Sequence, residues 1–219
     1  MKEEHKSMGL EDKYGITEWE KTYLEVVRKI RGTNNPPKWL YKHSKKKYGW
    51  KDNLARYWYE KYIDIPIGKF TYGYQSFNDS AIHSIGSFCS IGIDQHVVKN
   101  SHSVDYVSSW NVLIDYREDL SAVDRSIKIG NDIWIGAHSI IRSGVTIGDG
   151  AVIGSGSVIT KDIAPYTVVV GNNRVIKQRF SDNEVKDLLS IKWWEWDDSK
   201  IFESMQYWSN ISEFIIRYK

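Results

Sequence analysis

The middle of the chain repeats an aliphatic residue every six positions. In blocks of six, residues 129–164 read IGNDIW, IGAHSI, IRSGVT, IGDGAV, IGSGSV and ITKDIA, and isoleucine opens every block. The fifth position of each block holds a small or aliphatic residue. A period of six is neither the 3.6-residue turn of a helix nor the alternation of a simple strand. It predicts a coil of three short faces, about eighteen residues long, with each isoleucine pointing into the interior.

A second set of hexads precedes this one in a different phase. Its members are Ile67, Ile85, Ile91 and Val97. Because positions 97 and 129 are not separated by a multiple of six, an insertion must interrupt the repeat. Residues 103–126 are polar and lack the hexad, so we expect them to leave the coil as a protruding loop, and long loops of this kind are usually functional or disordered.

The flanking segments carry helix signals. Thr17 followed by Glu20 is a capping-box pattern for a helix over 17–31. The apolar residues of this helix share one face: Trp19, Tyr23, Val26, Val27 and Ile30. A second short helix is predicted over 52–62.

The C-terminal part repeats the same signals. Ser181 and Glu184 predict a capped helix over 182–191, and a last helix is predicted over 198–217. We therefore divide the chain into an N-terminal helical and aromatic region (1–64), a coil (65–180) and C-terminal helices (181–219).

Composition narrows the class of protein. The chain has 219 residues, of which 26% are charged, and its net charge is only +2, which argues against a general nucleic-acid binder. Its one cysteine, Cys89, excludes an internal disulfide and favours a reducing compartment. No apolar run approaches about 20 residues, and the start MKEEHKSMGL lacks a signal-peptide stretch. We expect a soluble, cytoplasmic protein without a transmembrane segment.

Two features of the N-terminal region have alternative interpretations. The first is a lysine run formed by Lys42, Lys45, Lys46, Lys47 and Lys51. It is either a solvated loop or a contact with an anionic polymer or a membrane surface. The second is a set of aromatic rings, among them Trp39, Trp50 and Trp58, which either pack in a core or stack on sugar faces.

Several motifs together resemble the hexapeptide-repeat acyltransferases, and within them the xenobiotic (chloramphenicol- and streptogramin-type) acetyltransferases. The motifs are IGSFCSIG at 85–92, HSVDYVSS at 102–109, IGNDIWIG at 129–136, VITKDIAPYTVVVGNNRVIKQRFSD at 158–182 and KWWEWD at 192–197. The resemblance covers about 65–200. It implies a mainly β fold, a left-handed parallel β-helix, with an N-terminal helical appendage and C-terminal helices. It also implies acetyl transfer from acetyl-CoA.

In this family one histidine at the start of the protruding loop is the catalytic base, and the matching residue is His102. Relatives carry an Asn-His-Pro-Thr-Asp-Trp type segment, here Ser101 to Tyr106. Imidazole suits the role because its pKa lies near neutrality. A zinc site like that of the γ-type carbonic anhydrases is disfavoured, since His96 and His102 lie six residues apart, on consecutive faces. His83 and His138 are interpreted as rung or corner residues.

The resemblance also implies a cofactor groove between neighbouring coils of a homotrimer. The pantetheine arm would pass Ala137 and Ser155, and the adenine end would meet Thr160 and Lys161. The phosphates need cations, and Arg174 and Lys177 would hold them. Trp134, in the outward sixth position of its hexad, either walls the site or anchors the trimer interface. No metal is expected.

The sequence defines the acceptor of the acetyl group less closely than it defines the donor. The aromatic and basic residues of 1–64 favour a saccharide hydroxyl, as in a capsular or lipopolysaccharide glycan. The alternatives are a small antibiotic-like acceptor, an amino sugar acetylated on nitrogen, and a trimeric scaffold without activity.

Overall fold

The computed structural model describes residues 9–77, 81–98, 107, 108, 110 and 127–219. Its centre is built from short strands that the chain lays down one after another. These are β1 (Ile82–Ile85), β2 (Ser90–Ile91), β3 (His96–Val98), β4 (Ile127–Ile129), β5 (Trp134–Ile135), β6 (Ile140–Arg142), β7 (Thr146–Ile147), β8 (Val152–Ile153), β9 (Val158–Ile159), β10 (Thr167–Val170) and β11 (Arg174–Gln178).

From β1 to β9 successive strands join three different sheets in rotation, as a three-faced coil requires, and β10 and β11 then both join sheet B. Sheet A has the order β1-β4-β7, sheet B has β2-β5-β8-β10-β11, and sheet C has β3-β6-β9. All pairs are parallel except β10 with β11. Within 127–164 partners are one coil apart, as Ile135 is from Ile153. Ile91 pairs with Ile135, 44 positions on in the numbering, so the hexads from residue 129 onwards stack in register on the set that precedes them.

The hexad isoleucines form the core of the coil, which confirms that they point inward. Buried members are Ile67, Ile85, Ile91, Ile129, Ile135, Ile141, Ile147, Ile153 and Ile159. The fifth positions of the hexads from 129 to 164 are buried as well. Glycine is required where coils touch, since a Cβ on Gly136 would lie 2.3 Å from the Ser155 backbone nitrogen.

Helices flank the coil at both ends of the chain. They are α1 (Leu10–Tyr14), α2 (Glu18–Arg31), α3 (Lys38–Tyr48), α4 (Asn53–Trp58), α5 (Asp182–Ile191), α6 (Asp198–Ser204) and α7 (Ile211–Tyr218). The capping boxes predicted at Thr17 and Ser181 are confirmed: each side chain accepts from a backbone N–H three residues on, and the glutamate there accepts from the cap.

Several expectations differ from the structure. Among the described residues more lie in helices than in strands, so a mainly β fold is not confirmed. The lysine run of residues 42–47 is helical rather than a loop, because it belongs to α3. The single helix predicted over 198–217 is two helices, because Asn210 interrupts it and caps α7 by accepting from the N–H of Glu213.

Of the apolar face predicted for α2, only Val27 packs against the core. Trp19, Tyr23 and Ile30 are exposed, whereas Glu20 and Leu24 are buried. Glu20 is satisfied there by Lys47 Nζ at 2.6 Å and by the hydroxyl of Tyr48. In the part of the chain that the structure describes, no helix is long and apolar enough to cross a membrane.

Candidate functional site

The edge between sheets B and C brings Ala137 and Ser155 together. Each residue follows a strand of sheet B at the turn into sheet C, and the two residues are one coil apart. The N–H of Gly156 donates to the carbonyl of Ala137 at 2.9 Å. Ala137 is half-buried and Ser155 is exposed. Within the described residues, no group accepts from the backbone N–H of either residue. The edge therefore has two backbone donors without an acceptor among the described residues, which suits the carbonyls of an extended amide-containing arm.

Trp134 lies on the outer face of sheet B, three positions before Ala137. Its backbone pairs with Ser90 and Val152, and 58% of the residue is exposed. The backbone of Trp134 is paired on both sides, and its large exposed indole offers an apolar surface close to the edge.

Thr160 is tied to the turn that precedes Arg174. Asn173 accepts from the Thr160 N–H at 3.0 Å through Oδ1, and its Nδ2 donates to the Thr160 hydroxyl at 2.5 Å. Asn173 has φ of 51°, a left-handed conformation that asparagine tolerates. Sequence analysis missed this residue, although Gly-Asn-Asn is a turn signal. The double contact brings Thr160 and Arg174 to one end of the coil.

Arg174 and Lys177 share the outer face of sheet B. Arg174 lies opposite Val170 and Lys177 opposite Val168, with a register shift between the two pairs. Val169, between those partners, is buried in the core, and directly opposed residues project from the same face. Both cations are exposed, as is Lys161, so the described site has three solvated positive charges at one end.

Arg179 has a structural role instead. Its Nη1 donates to the carbonyl of Gly150 at 2.7 Å and to Asp132 Oδ2 at 3.2 Å. Burial raises the pKa of Asp132, and the positive charge of Arg179 counteracts that rise. This cation is engaged inside the fold and is not available to a phosphate.

His102 lies outside the described residues, so its role as catalytic base stays a prediction. His83 and His96 are exposed on strands of sheets A and C. His138 occupies the edge beside Ala137 with φ of 59°, and its Nδ1 lies 3.6 Å from Asp94 Oδ2. Among the described residues no group of three or more histidine, cysteine or acidic side chains is arranged to hold a metal ion.

Cys89 is the only cysteine of the chain and is fully buried. Burial raises the pKa of its thiol to about 12, so it is neutral near pH 7. A thiol in this state is not a nucleophile.

Comparisons with known proteins agree with this geometry. The family model for bacterial transferase hexapeptide (six repeats) matches residues 126–161. Chloramphenicol acetyltransferase of Klebsiella aerogenes is 38% identical over 169 residues, which cover 65% of this chain and 80% of that protein. Galactoside O-acetyltransferase of Escherichia coli (strain K12) is 60% identical over 45 residues, 20% of this chain and 22% of that protein.

A solved structure is also similar. It is a hexapeptide-repeat acetyltransferase of Vibrio cholerae O1 biovar eltor complexed with acetyl-CoA. The sequence identity is 31%, 45% of this chain and 50% of that chain are covered, and the TM-score is 0.36.

Proposed function

Because this chain belongs to the hexapeptide-repeat acyltransferases, and to their xenobiotic acetyltransferase branch, we propose that it transfers acetyl from acetyl-CoA to a hydroxyl group of a saccharide. The observation that carries the proposal is 38% identity across 80% of a chloramphenicol acetyltransferase. This similarity shows that the chain is an acetyltransferase. The saccharide acceptor and the roles of the site residues are inferred from the geometry of the B–C edge and the N-terminal helices.

His102 is the proposed base. Acetyl-CoA supplies the acetyl group as an activated thioester. The imidazole of His102 takes the proton of the acceptor hydroxyl as that oxygen bonds to the acetyl carbon. The imidazolium then returns the proton to the departing sulfur as the carbon–sulfur bond breaks, so the histidine ends neutral. The neutral, buried thiol of Cys89 supports direct attack rather than a cysteine-bound acetyl group.

The residues of the B–C edge fit the donor. Ala137 and Ser155 offer free backbone N–H groups to a pantetheine arm. At the far end, Lys161, Arg174 and Lys177 supply positive charge for phosphates, and Arg grips phosphate bidentately. Thr160 holds the turn on which Arg174 lies. Trp134 is the wall beside the thiol end.

We also propose that the coil is left-handed and that the protein is a homotrimer. Family membership supports both proposals. The left hand rests on it alone, because parallel crossovers are otherwise right-handed. Three-fold cyclic symmetry would make the groove between neighbouring coils, and hence three equivalent sites.

A small antibiotic-type hydroxyl acceptor is the second candidate, and the chloramphenicol acetyltransferase relative favours it. The N-terminal helices favour the saccharide, because they expose rings and lysines. Of the three rings considered for sugar stacking, Trp39 and Trp50 are exposed, but Trp58 is buried and its Nε1 donates to the Asn34 carbonyl at 2.7 Å. That ring is structural.

The two candidates are separated by an acceptor panel. Purified protein and acetyl-CoA are mixed with chloramphenicol, with neutral oligosaccharides and with uronic-acid oligosaccharides, and free CoA thiol is followed colorimetrically. The proposal expects thiol release above the acceptor-free rate with a saccharide, and an ester on its oxygen by mass spectrometry. Turnover of chloramphenicol alone would make the second candidate correct.

A further inference from the structure

The lysine run of the N-terminal region divides into two groups. Lys47 is paired with the buried Glu20, and Lys51 is paired with Asp198. The remaining members are exposed, and within the described residues none of them forms an ion pair: Lys42, Lys45 and Lys46. The fold therefore uses the first group internally and leaves three positive charges for solvent or a ligand.

Aromatic rings accompany these charges along α3. Trp39 shares one helix face with the residues three, four and seven positions after it, which are Lys42, His43 and Lys46. The rings of Trp39 and His43 have centroids 6.3 Å apart, and 40% of Trp39 is exposed. We call this face, together with Lys45 and Trp50, the α3 ridge.

Trp50 closes the ridge just beyond the end of α3. It is 60% exposed, and Lys45 Nζ lies 3.8 Å from the centre of its ring. Its ring also contacts Tyr72, at a centroid distance of 6.2 Å. The ammonium group of Lys45 thus lies over one face of the Trp50 ring, and much of the ring remains exposed next to it.

The ridge leads to the proposed acetyl-transfer site. Tyr72 pairs with Ser90, and Ser90 pairs with Trp134. Two strand spacings, about 10 Å, therefore separate the backbones of Tyr72 and Trp134 on sheet B. A ligand extended along α3 and across Trp50 would reach the outer face of the sheet that holds Trp134.

We propose that the α3 ridge binds an anionic polysaccharide, a polymer of sugars that carry carboxylate or phosphate groups. This inference rests on the proposed saccharide acceptor and specifies its charge and size. The apolar faces of pyranose rings stack on Trp39 and Trp50, and the acidic groups pair with the unpaired lysines. A neutral glycan would leave those charges unused, and a short acceptor would not span from the ridge to Trp134.

The test is affinity electrophoresis of the full chain in gels containing polygalacturonate, with dextran of matched length as the neutral polymer and no acetyl-CoA present. Wild-type protein is expected to be retarded by polygalacturonate but not by dextran, and less so as salt rises. The double variant Lys42→Ser/Lys46→Ser should raise the apparent Kd about tenfold, the scale expected for two exposed charge pairs. The matched control is Lys61→Ser/Lys186→Ser, which has the same net charge and changes two exposed lysines elsewhere.

Trp50 supplies a second measurement. Trp50→Ala should weaken retardation, and Trp50→Phe, which keeps a ring, should restore part of it. The proposal would be overturned if Lys42→Ser/Lys46→Ser and Trp50→Ala were retarded as strongly as the wild type. It would also be overturned if the Lys61→Ser/Lys186→Ser control lost retardation as well. So would a wild type that is not retarded by polygalacturonate but sediments with phosphatidylglycerol vesicles through the same lysines.

Failure of this inference differs from failure of the proposed function. A protein that acetylates a saccharide in the acceptor panel but ignores the polymer contradicts the ridge alone. Ridge-dependent polymer binding by a protein that acetylates only chloramphenicol supports the ridge and contradicts the saccharide acceptor.

Discussion

Trp134 and Lys177 lie on one cross-strand line of sheet B. Trp134 pairs with Val152, Val152 with Val168, and Val168 with Lys177. Three strand spacings, about 14 Å, separate the two backbones, and both side chains are on the outer face. An exposed indole and an exposed positive charge thus lie at opposite ends of one straight path, which suits the proposed binding of a long donor with a thioester at one end.

The cations at the far end should affect donor binding rather than chemistry. Lys161→Ala and Lys177→Ala are each expected to raise the KM for acetyl-CoA about three- to tenfold, with kcat less affected, because they remove interactions shared by ground and transition states. Steady-state kinetics at saturating acceptor measure this. Lys186→Ala, an exposed lysine on α5, is the control and should leave KM unchanged. A fall in kcat with constant KM would contradict the assignment.

Trp134 should act on catalysis rather than on assembly. Removing the exposed indole by Trp134→Ala is expected to lower kcat/KM about tenfold or more through lost positioning, while light scattering still gives the mass of a trimer. A variant that becomes monomeric would instead make Trp134 an interface anchor. A wild type that is monomeric and active would contradict the groove itself.

The coil was predictable because its information is local and repeated. Each hexad independently specifies an inward isoleucine, and the pairing of Ile135 with Ile153 simply adds one period. The helix caps at Thr17 and Ser181 were predictable for the same reason, because a capping box lies within four consecutive residues.

Other features depend on distant contacts that no local pattern contains. The orientation of α2 is set by Glu20, which is buried against Lys47 and Tyr48 of α3, so the apolar stripe with Trp19 is turned to solvent. Motif matching identified Thr160 and Arg174 as separate positions, but not the side chain of Asn173 that joins them.

The core of the coil should be sensitive to lost volume. Ile141 is fully buried between β3 and β9, so Ile141→Ala is expected to reduce the free energy of unfolding by about 2–5 kcal/mol. Ile216→Ala, at a position that is 85% exposed on α7, should change it by less than about 0.5 kcal/mol. Chemical denaturation of both variants measures the difference, and similar losses would show that Ile141 is not a core residue.

Glu20 should make the stability of the N-terminal region dependent on acid. Burial alone would raise the pKa of Glu20, but hydrogen bonds from Lys47, Thr17 and Tyr48 outweigh it and lower the pKa to about 2. A depressed pKa stabilises the fold above the unfolded value near 4.3, and this contribution is lost as pH falls towards 2. Glu20→Gln should therefore destabilise the protein at pH 7 by about 1–3 kcal/mol.

The pH dependence provides the check on that assignment. The difference in unfolding free energy between wild type and Glu20→Gln should shrink as pH is lowered from about 4.5 to 2, because the wild-type carboxylate becomes protonated in this interval. Glu18→Gln, on the exposed side of α2, is the control. A difference that is constant across this interval would mean that the ion pair with Lys47 does not determine the effect.

His102 is tested by separating catalysis from donor binding. His102→Ala is expected to lower the rate of acetyl transfer about 10²–10⁴-fold, the usual contribution of a positioned general base. The Kd of acetyl-CoA, measured by calorimetry, should change little, because the imidazole acts on the acceptor proton and not on the nucleotide. His138→Ala, which removes the imidazole that lies near Asp94 at the B–C edge, is the matched control and should retain most of the turnover. If His102→Ala keeps near-normal turnover with its acceptor while His138→Ala loses it, the base is His138, and the free N–H groups beside Ala137 then lie closer to the reacting atoms than the family pattern implies.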